Sequence, residues 1–171
     1  MEIQIDSREK PHAIKLIQAE FDRQGIHYFR SKLYVGDYMS LDNPRLVVDR
    51  KQDIEEIHQN VCQGHERFRR ELIRAMQAGI QIVFLIEHGG ELQQLDDLIF
   101  FYAPEIQRWR WQTVTQNGVP RKVRVPYTQK AIDGKVLYKS FCTIQDRYGA
   151  KFEFCTKEQT GKRIIDILST S

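Results

Sequence analysis

This chain of 171 residues is poor in cysteine, carries little net charge and contains no internal repeat or low-complexity segment. The three cysteines (Cys62, Cys142 and Cys155) are widely spaced and form no C-x-x-C pair, so neither a zinc site nor a disulfide framework is expected. Free thiols indicate a reducing, intracellular compartment. No apolar run approaches the roughly 20 residues that span a bilayer. Because the N-terminus begins with a strand-like run, we expect no signal peptide.

The overall charge does not reveal a partner. The formal net charge is +3, with 41% hydrophobic and 29% charged residues, which is ordinary for a globular protein. The length suits a single domain with a sizeable core. Because bulk electrostatics indicate no nucleic-acid binder, any basic surface must be local.

The candidate catalytic residues are concentrated in one stretch. One apolar run ends at Asp37, and a second is followed directly by Asp49, Arg50 and Lys51. Asn43-Pro44 is a turn signal between the two runs, which predicts a β-hairpin with the two aspartates on adjacent strands. Because side chains alternate along a strand, Asp49 and Lys51 should share one face and Arg50 should point to the other.

Two carboxylates and an ammonium would then converge on a small volume. Like charges about 4 Å apart repel by roughly 4 kcal/mol at an effective dielectric near 20, unless a cation lies between them. Mg²⁺ suits such a place because it binds through one or two carboxylates, waters and phosphate oxygens. Lys51 would orient or activate an attacking water, or stabilise charge on the phosphate, as in PD-(D/E)xK nucleases. The alternative is a surface hairpin whose charges face water.

Four segments, in order, resemble the signature of the XPF/Hef structure-specific endonuclease family. They are D-x-R-E at 6–9, G-D-Y at 36–38, V-D-R-K at 48–51 followed by Glu55, and a helix-then-strand segment at 66–87. The resemblance implies an α/β, restriction-endonuclease-like core with a central mixed sheet flanked by helices. It also implies Mg²⁺ or Mn²⁺ as the cofactor and DNA as the substrate.

The resemblance also implies a set of site residues. The catalytic group is Asp37, Asp49, Lys51, Arg50 and Glu9, and the metal ligands are Asp37, Asp49, Asp6 and Glu55. The chain departs from the family where Asp49 replaces the usual Glu and Glu55 the usual Asp, with Asp53 and Glu56 as rivals for the latter role. Arg50, off the metal face, is expected either in a buried salt bridge or on a second DNA strand.

Residues 91–135 do not follow the family pattern. Alternating Arg and Trp at 108–111, a hairpin-type turn at Asn117-Gly118 and a basic return strand predict a two-stranded ribbon with cations beside aromatic rings. Such a surface suits nucleic acid, since cations neutralise phosphates and rings stack on bases. Predicted nucleic-acid contacts are Trp109, Arg110, Arg121, Lys122 and Arg124, together with Arg67, which would bind phosphate or pair with a neighbouring glutamate. The alternative is a hairpin that extends the sheet, with both tryptophans in the core.

The remaining patterns complete the sandwich. An amphipathic helix begins near Asp53 and should kink or break at Gly64, and the apolar run 80–86 reads as a strand buried on both faces. A helix at 135–148, a strand at 152–154 and a last helix close the chain. We expect one nuclease domain over 1–171, without the tandem helix-hairpin-helix module that many family members carry.

The sequence thus predicts a metal-dependent DNA endonuclease that acts on branched, flapped or otherwise structured DNA in repair, recombination or phage DNA processing. The alternative is a catalytically inactive DNA-binding module of the same fold; RNA cleavage or exonuclease activity is a third reading. A homodimer is left open, no membrane or small-molecule cofactor is expected, and the compartment is the cytoplasm if the protein is microbial or phage-encoded.

Overall fold

The computed structural model describes residues 1–62 and 65–170. Its strands are β1 (Glu2–Asp6), β2 (His27–Ser31), β3 (Tyr38–Ser40), β4 (Asn43–Lys51), β5 (Gln81–Glu87), β6 (Tyr102–Ala103), β7 (Ile106–Gln116), β8 (Val119–Gln129), β9 (Ile132–Asp133) and β10 (Lys151–Cys155). Its helices are α1 (Lys15–Arg23), α2 (Ile54–Cys62), α3 (His65–Gln77), α4 (Gly134–Tyr148) and α5 (Thr160–Leu168), with a 3₁₀ helix at Leu95–Phe100. The predicted break point, Gly64, lies outside the described residues.

Six strands form a mixed sheet in the order β10-β5-β4-β3-β1-β2. The pairs β10/β5, β4/β5 and β1/β2 are parallel, whereas β3 is antiparallel to both β1 and β4. The apolar strand β5 lies inside the sheet, as its uninterrupted hydrophobic run predicts.

Helices cover both faces of this sheet. Residues of α2, α3 and α4 pack on one face, around the fully buried Phe84, and residues of α1 and α5 pack on the other, around Leu85. Neighbouring residues of β5 therefore serve two separate cores, because side chains alternate across a strand. The predicted α/β, restriction-endonuclease-like architecture is confirmed.

Among the described residues, none of the helices combines the length and the apolar character that crossing a lipid bilayer would need.

The hairpin that carries the predicted site is present, although its first strand is short. β3 begins only at Tyr38, so Asp37 lies just before it, and residues 32–37 form no regular strand. The backbone N–H of Asp37 still donates to the carbonyl of Val48 at 2.8 Å, and Tyr38 is paired with Val48. This register places Asp37 beside Asp49 of β4, as the sequence predicts.

The predicted ribbon is formed by β7 and β8, which pair along their whole length from Ile106–Gln129 to Gln116–Val119. It is a separate two-stranded sheet and does not extend the central one. Trp109 and Trp111 are 56% and 69% exposed, so the alternative that places both in the core is wrong.

Gly36 should tolerate no side chain, because it combines a left-handed backbone with a close approach to β4. Its φ is +69°, and an added Cβ would meet Val47 Cγ2 at 3.0 Å and the Val48 carbonyl oxygen at 3.2 Å. We expect Gly36→Ala to lower the free energy of unfolding by roughly 3 kcal/mol, of which the left-handed backbone accounts for roughly 1–2 kcal/mol.

Urea unfolding measures this loss, and Gly79→Ala is the matched control. Gly79 has a similar φ of +65° but nothing within 4 Å of an added Cβ, so only the backbone cost of roughly 1–2 kcal/mol is expected there. Equal losses in the two variants would show that the approach to β4 contributes nothing.

Candidate active site

An open cleft of about 590 Å³ lies at the end of β4, beside α2 and α3. Its lining combines acids, bases and amides: Arg8, Glu9, Lys10, Asp37, Asp49, Arg50, Lys51, Gln52, Glu56, Gln59, Asn60, Arg67, Phe68 and Glu71. Four of the five predicted catalytic residues lie on strand β4 or immediately before β3, and the fifth, Glu9, follows β1. The sheet therefore brings all five to one cleft from three separate segments.

Asp37 and Asp49 form the acidic centre of the cleft. Asp49 is only 4% exposed, whereas Asp37 is half-buried and accepts a hydrogen bond at Oδ2 from the backbone N–H of Arg50 at 2.9 Å. Burial raises the pKa of Asp37 well above its ordinary value, and the neighbouring carboxylates of Asp49 and Glu9 raise it further. The pair is thus electrostatically strained when both acids are charged.

Lys51 stands against this pair. Its Nζ lies 2.5 Å from Asp49 Oδ1, so the two side chains form a close ion pair. Burial alone would lower the pKa of Lys51, but the charge of Asp49, with a smaller contribution from Asp37, outweighs it and raises the pKa above its ordinary value. Lys51 is therefore an ammonium at neutral pH, which suits charge stabilisation and hydrogen-bond donation rather than proton abstraction.

Arg50 points to the opposite side of β4, as the alternation predicts. Its guanidinium is buried between Glu9 and Glu87, with N–O distances of 3.0 Å to each. Glu87 also accepts a hydrogen bond from the Thr160 hydroxyl at 2.9 Å. Of the two roles expected for Arg50, the structure shows the buried ion pair, and this pair fixes Glu9 at the wall of the cleft.

Asp6 does not join the acidic centre. Its carboxylate is fully buried, receives hydrogen bonds from Arg8 at 2.7 and 3.1 Å and accepts another from the Leu33 backbone N–H at 2.7 Å. Burial opposes the charge, yet these donors together lower the pKa of Asp6. All of this fastens the end of β1 to the loop before β3, so Asp6 supports the site from outside the cleft.

Glu55 also lies outside the cleft. This buried carboxylate faces the ribbon, where Oε2 lies 3.7 Å from Arg108 Nη1 and Oε1 accepts from the Tyr127 hydroxyl at 3.4 Å. It lines a separate pocket of about 360 Å³ between α2 and β8. Its neighbour Glu56, considered from the sequence as a rival, lines the cleft instead and accepts from the Gln52 backbone N–H at 2.9 Å.

Glu71 is a cleft residue that the motif comparison did not identify. It lies on α3, half-buried, between Phe68 and Leu72 of the buried stripe. Burial raises the pKa of Glu71, and repulsion by the charge of Asp49 raises it further. A glutamate inside an apolar helical stripe was the signal that could have revealed it, since ionisable residues are seldom buried without a reason.

The donor set fits a hard divalent ion. Within 1–62 and 65–170, no group of three or more His, Cys, Asp or Glu side chains is arranged to hold a metal by itself. Asp37 and Asp49 nevertheless supply two carboxylates, and Asp49 Oδ1 is a buried oxygen that lies beside the Lys51 ammonium. Mg²⁺ requires no more protein ligands than these when water and phosphate oxygens complete the shell.

The predicted nucleic-acid contacts lie in two places. Arg67 is exposed and lines the cleft, whereas the other five residues project from the ribbon. On the ribbon, the guanidinium of Arg124 lies 5.7 Å from the Trp109 ring and that of Arg110 lies 5.6 Å from the Tyr127 ring. Cations therefore do lie beside aromatic rings, as the alternating sequence predicts.

Two solved structures share this architecture. The chain is similar to XPF from Aeropyrum pernix, with a TM-score of 0.62 and 15% identity over 98% of this chain and 63% of that one. The fold is of the XPF type. A second structure, XPF from Aeropyrum pernix in complex with DNA, gives a TM-score of 0.61 and 15% identity over 98% of this chain and 62% of that one.

The chain thus spans slightly less than two thirds of the XPF chains that it matches. No family model matches the sequence. No curated protein matches it either. At this level of identity the likeness to XPF shows the fold, and the chemistry depends on the residues of the cleft.

Removing the charge of Asp37 should stabilise the metal-free protein. Because its pKa is raised in the folded state, its contribution to stability is present below the unfolded pKa of roughly 3.9 and is lost as the pH rises through the folded value. We expect Asp37→Asn to raise the free energy of unfolding by about 1–2 kcal/mol at pH 7 in EDTA, with the gain vanishing near pH 4.

Denaturant unfolding between pH 4 and 8 checks this expectation, with the exposed Asp146→Asn as the control. A variant that is no more stable than wild type at pH 7 would show that burial and the neighbouring carboxylates do not disfavour a charged Asp37 in the folded protein.

Proposed function

We propose that this protein is a metal-dependent DNA endonuclease that hydrolyses phosphodiester bonds in branched, flapped or otherwise structured DNA. One observation carries the proposal: Asp37, Asp49 and a charged Lys51 converge in an open cleft at the end of strand β4, in a fold of the XPF type. The binding of DNA by XPF in one of the similar structures supports the choice of substrate.

Each residue has a role that follows from its contacts. Asp37 and Asp49 would hold Mg²⁺ or Mn²⁺, which when bound polarises the scissile phosphate and lowers the pKa of a water. Lys51, held as an ammonium by Asp49, would donate to a phosphate oxygen and offset its negative charge. Arg50 and Glu9 would keep β4 in place through their ion pair.

A cleavage assay tests the proposal directly. Branched and nicked DNA should be cut in Mg²⁺ and left intact in EDTA, and Asp49→Asn should lower the rate at least 100-fold because one of two metal-binding carboxylates is lost. Lys51→Met should lower the rate by a factor of about 100. Asp146→Asn serves as the matched control, and no cutting by the wild type in Mg²⁺ would refute the proposal.

The alternative is a DNA-binding module of this fold without catalysis, and the separate cationic ribbon is the observation that favours it. Metal binding discriminates between the two, because a site without chemistry needs no divalent ion. Calorimetric titration should show Mn²⁺ binding that Asp49→Asn weakens at least tenfold.

In the same titration Glu55→Gln should bind Mn²⁺ as the wild type does, since Glu55 faces the ribbon rather than the cleft. A tenfold loss in Glu55→Gln would return that residue to the metal site. Absence of any carboxylate-dependent binding in the wild type would favour the inactive module.

A panel of DNA and RNA substrates separates endonuclease activity from RNA cleavage or exonuclease activity. Self-association into a homodimer and the intracellular location stay predictions of the sequence.

A further inference from the structure

The ribbon of β7 and β8 is unusual in charge. Between residues 106 and 129 it carries five cations and neither aspartate nor glutamate. The cations are Arg108, Arg110, Arg121, Lys122 and Arg124. A polyanion is the partner that this charge fits.

The two faces of the ribbon differ. In an antiparallel pair, directly opposite residues project to the same side. Trp111 is opposite Arg124, and Thr113 is opposite Lys122, so both cations share a face with Trp111 and Trp109. We call this surface the tryptophan face.

The other face is attached to the body of the protein. Arg108 and Tyr127 are opposite one another, and both reach Glu55 of α2, at 3.7 and 3.4 Å. The ribbon is therefore fastened at its base next to the helix that follows the Asp-Arg-Lys strand. The tryptophan face is left exposed to solvent.

We propose that the tryptophan face binds an unpaired DNA strand, an inference that rests on the proposed nuclease function and names the part of the substrate that the ribbon holds. Two exposed indoles with adjacent cations match the chemistry of single-stranded nucleic acid, in which bases stack on rings and phosphates meet cations. Trp109 and Trp111 lie two residues apart on one strand, roughly 7 Å, about twice the 3.4 Å spacing of nucleotides along a duplex strand.

That spacing selects against a duplex. Bases that stay paired also stay stacked on each other and cannot separate to meet both indoles, whereas an unpaired strand can splay its bases. A second copy of this chain is a poor occupant, because a symmetric contact would place one cationic, acid-free face against another.

Intrinsic fluorescence isolates this surface, because the protein's only two tryptophans are Trp109 and Trp111. In EDTA, where no cutting is expected, a single-stranded oligonucleotide should quench the emission of the wild-type protein, and a blunt duplex of the same length should not. Fluorescence anisotropy with labelled DNA measures the affinities of the variants, which no longer share the same intrinsic signal.

Trp109→Ala and Trp111→Ala should each weaken single-strand binding about tenfold, as expected for the loss of one stacking platform, and should change duplex binding less than twofold. Trp111→Phe keeps a ring and should recover most of the affinity. Phe100→Ala is the matched control, since Phe100 is 90% exposed but lies outside the ribbon.

Unchanged single-strand affinity in both alanine variants, or no quenching at saturating oligonucleotide, would overturn the inference even if the protein cuts DNA in Mg²⁺. If the alanine variants lose single-strand binding and the wild type does not cut DNA in Mg²⁺, the inference is supported and the proposed nuclease function is refuted. A wild-type dimer that Trp111→Ala converts to a monomer in sedimentation would overturn it, since the face would then bind a second copy.

Discussion

Repulsion between Asp37 and Asp49 is the constraint on which the rest of the site depends. Both carboxylates approach one cleft from neighbouring strands, and burial removes most of the water that would screen them. Among residues 1–62 and 65–170, the compensation is partial and comes from Lys51, 2.5 Å from Asp49, and from the backbone N–H of Arg50, 2.9 Å from Asp37. The folded protein therefore holds two acids whose charges oppose each other, at the expense of stability.

Because side chains alternate along β4, its three charged residues face two different sets of partners. Asp49 and Lys51 face the cleft, whereas Arg50, between them, faces Glu9 and Glu87. A buried arginine is tolerated only when its charge is paired, and here the two glutamates come from the end of β1 and the end of β5. One guanidinium thus joins three segments of the chain, and its ion pair with Glu9 holds that residue at the wall of the cleft.

The ribbon of β7 and β8 is structurally independent of the central sheet. It contributes nothing to the central sheet, and its aromatic residues are exposed rather than buried. Its attachment through Glu55 of α2 ties its position to the segment that follows Lys51. The molecule thus presents two distinct surfaces: an acidic cleft at the end of β4, and a ribbon whose exposed rings lie beside cations.

Local patterns of the chain were enough to predict the α/β class, the hairpin, the shared face of Asp49 and Lys51 and the exposed ribbon, because periodicity and turn chemistry act over a few residues. They could not decide which acids converge. Asp6 and Glu55 resemble ligands in sequence, yet Arg8 and the Leu33 amide hold the first, and Arg108, 53 positions away, meets the second. Glu71 lines the cleft because its neighbours Phe68 and Leu72 pack α3 against the sheet. Similar carboxylates are assigned different roles by their partners, and except for Arg8 those partners are distant along the chain, so only tertiary structure brings them together.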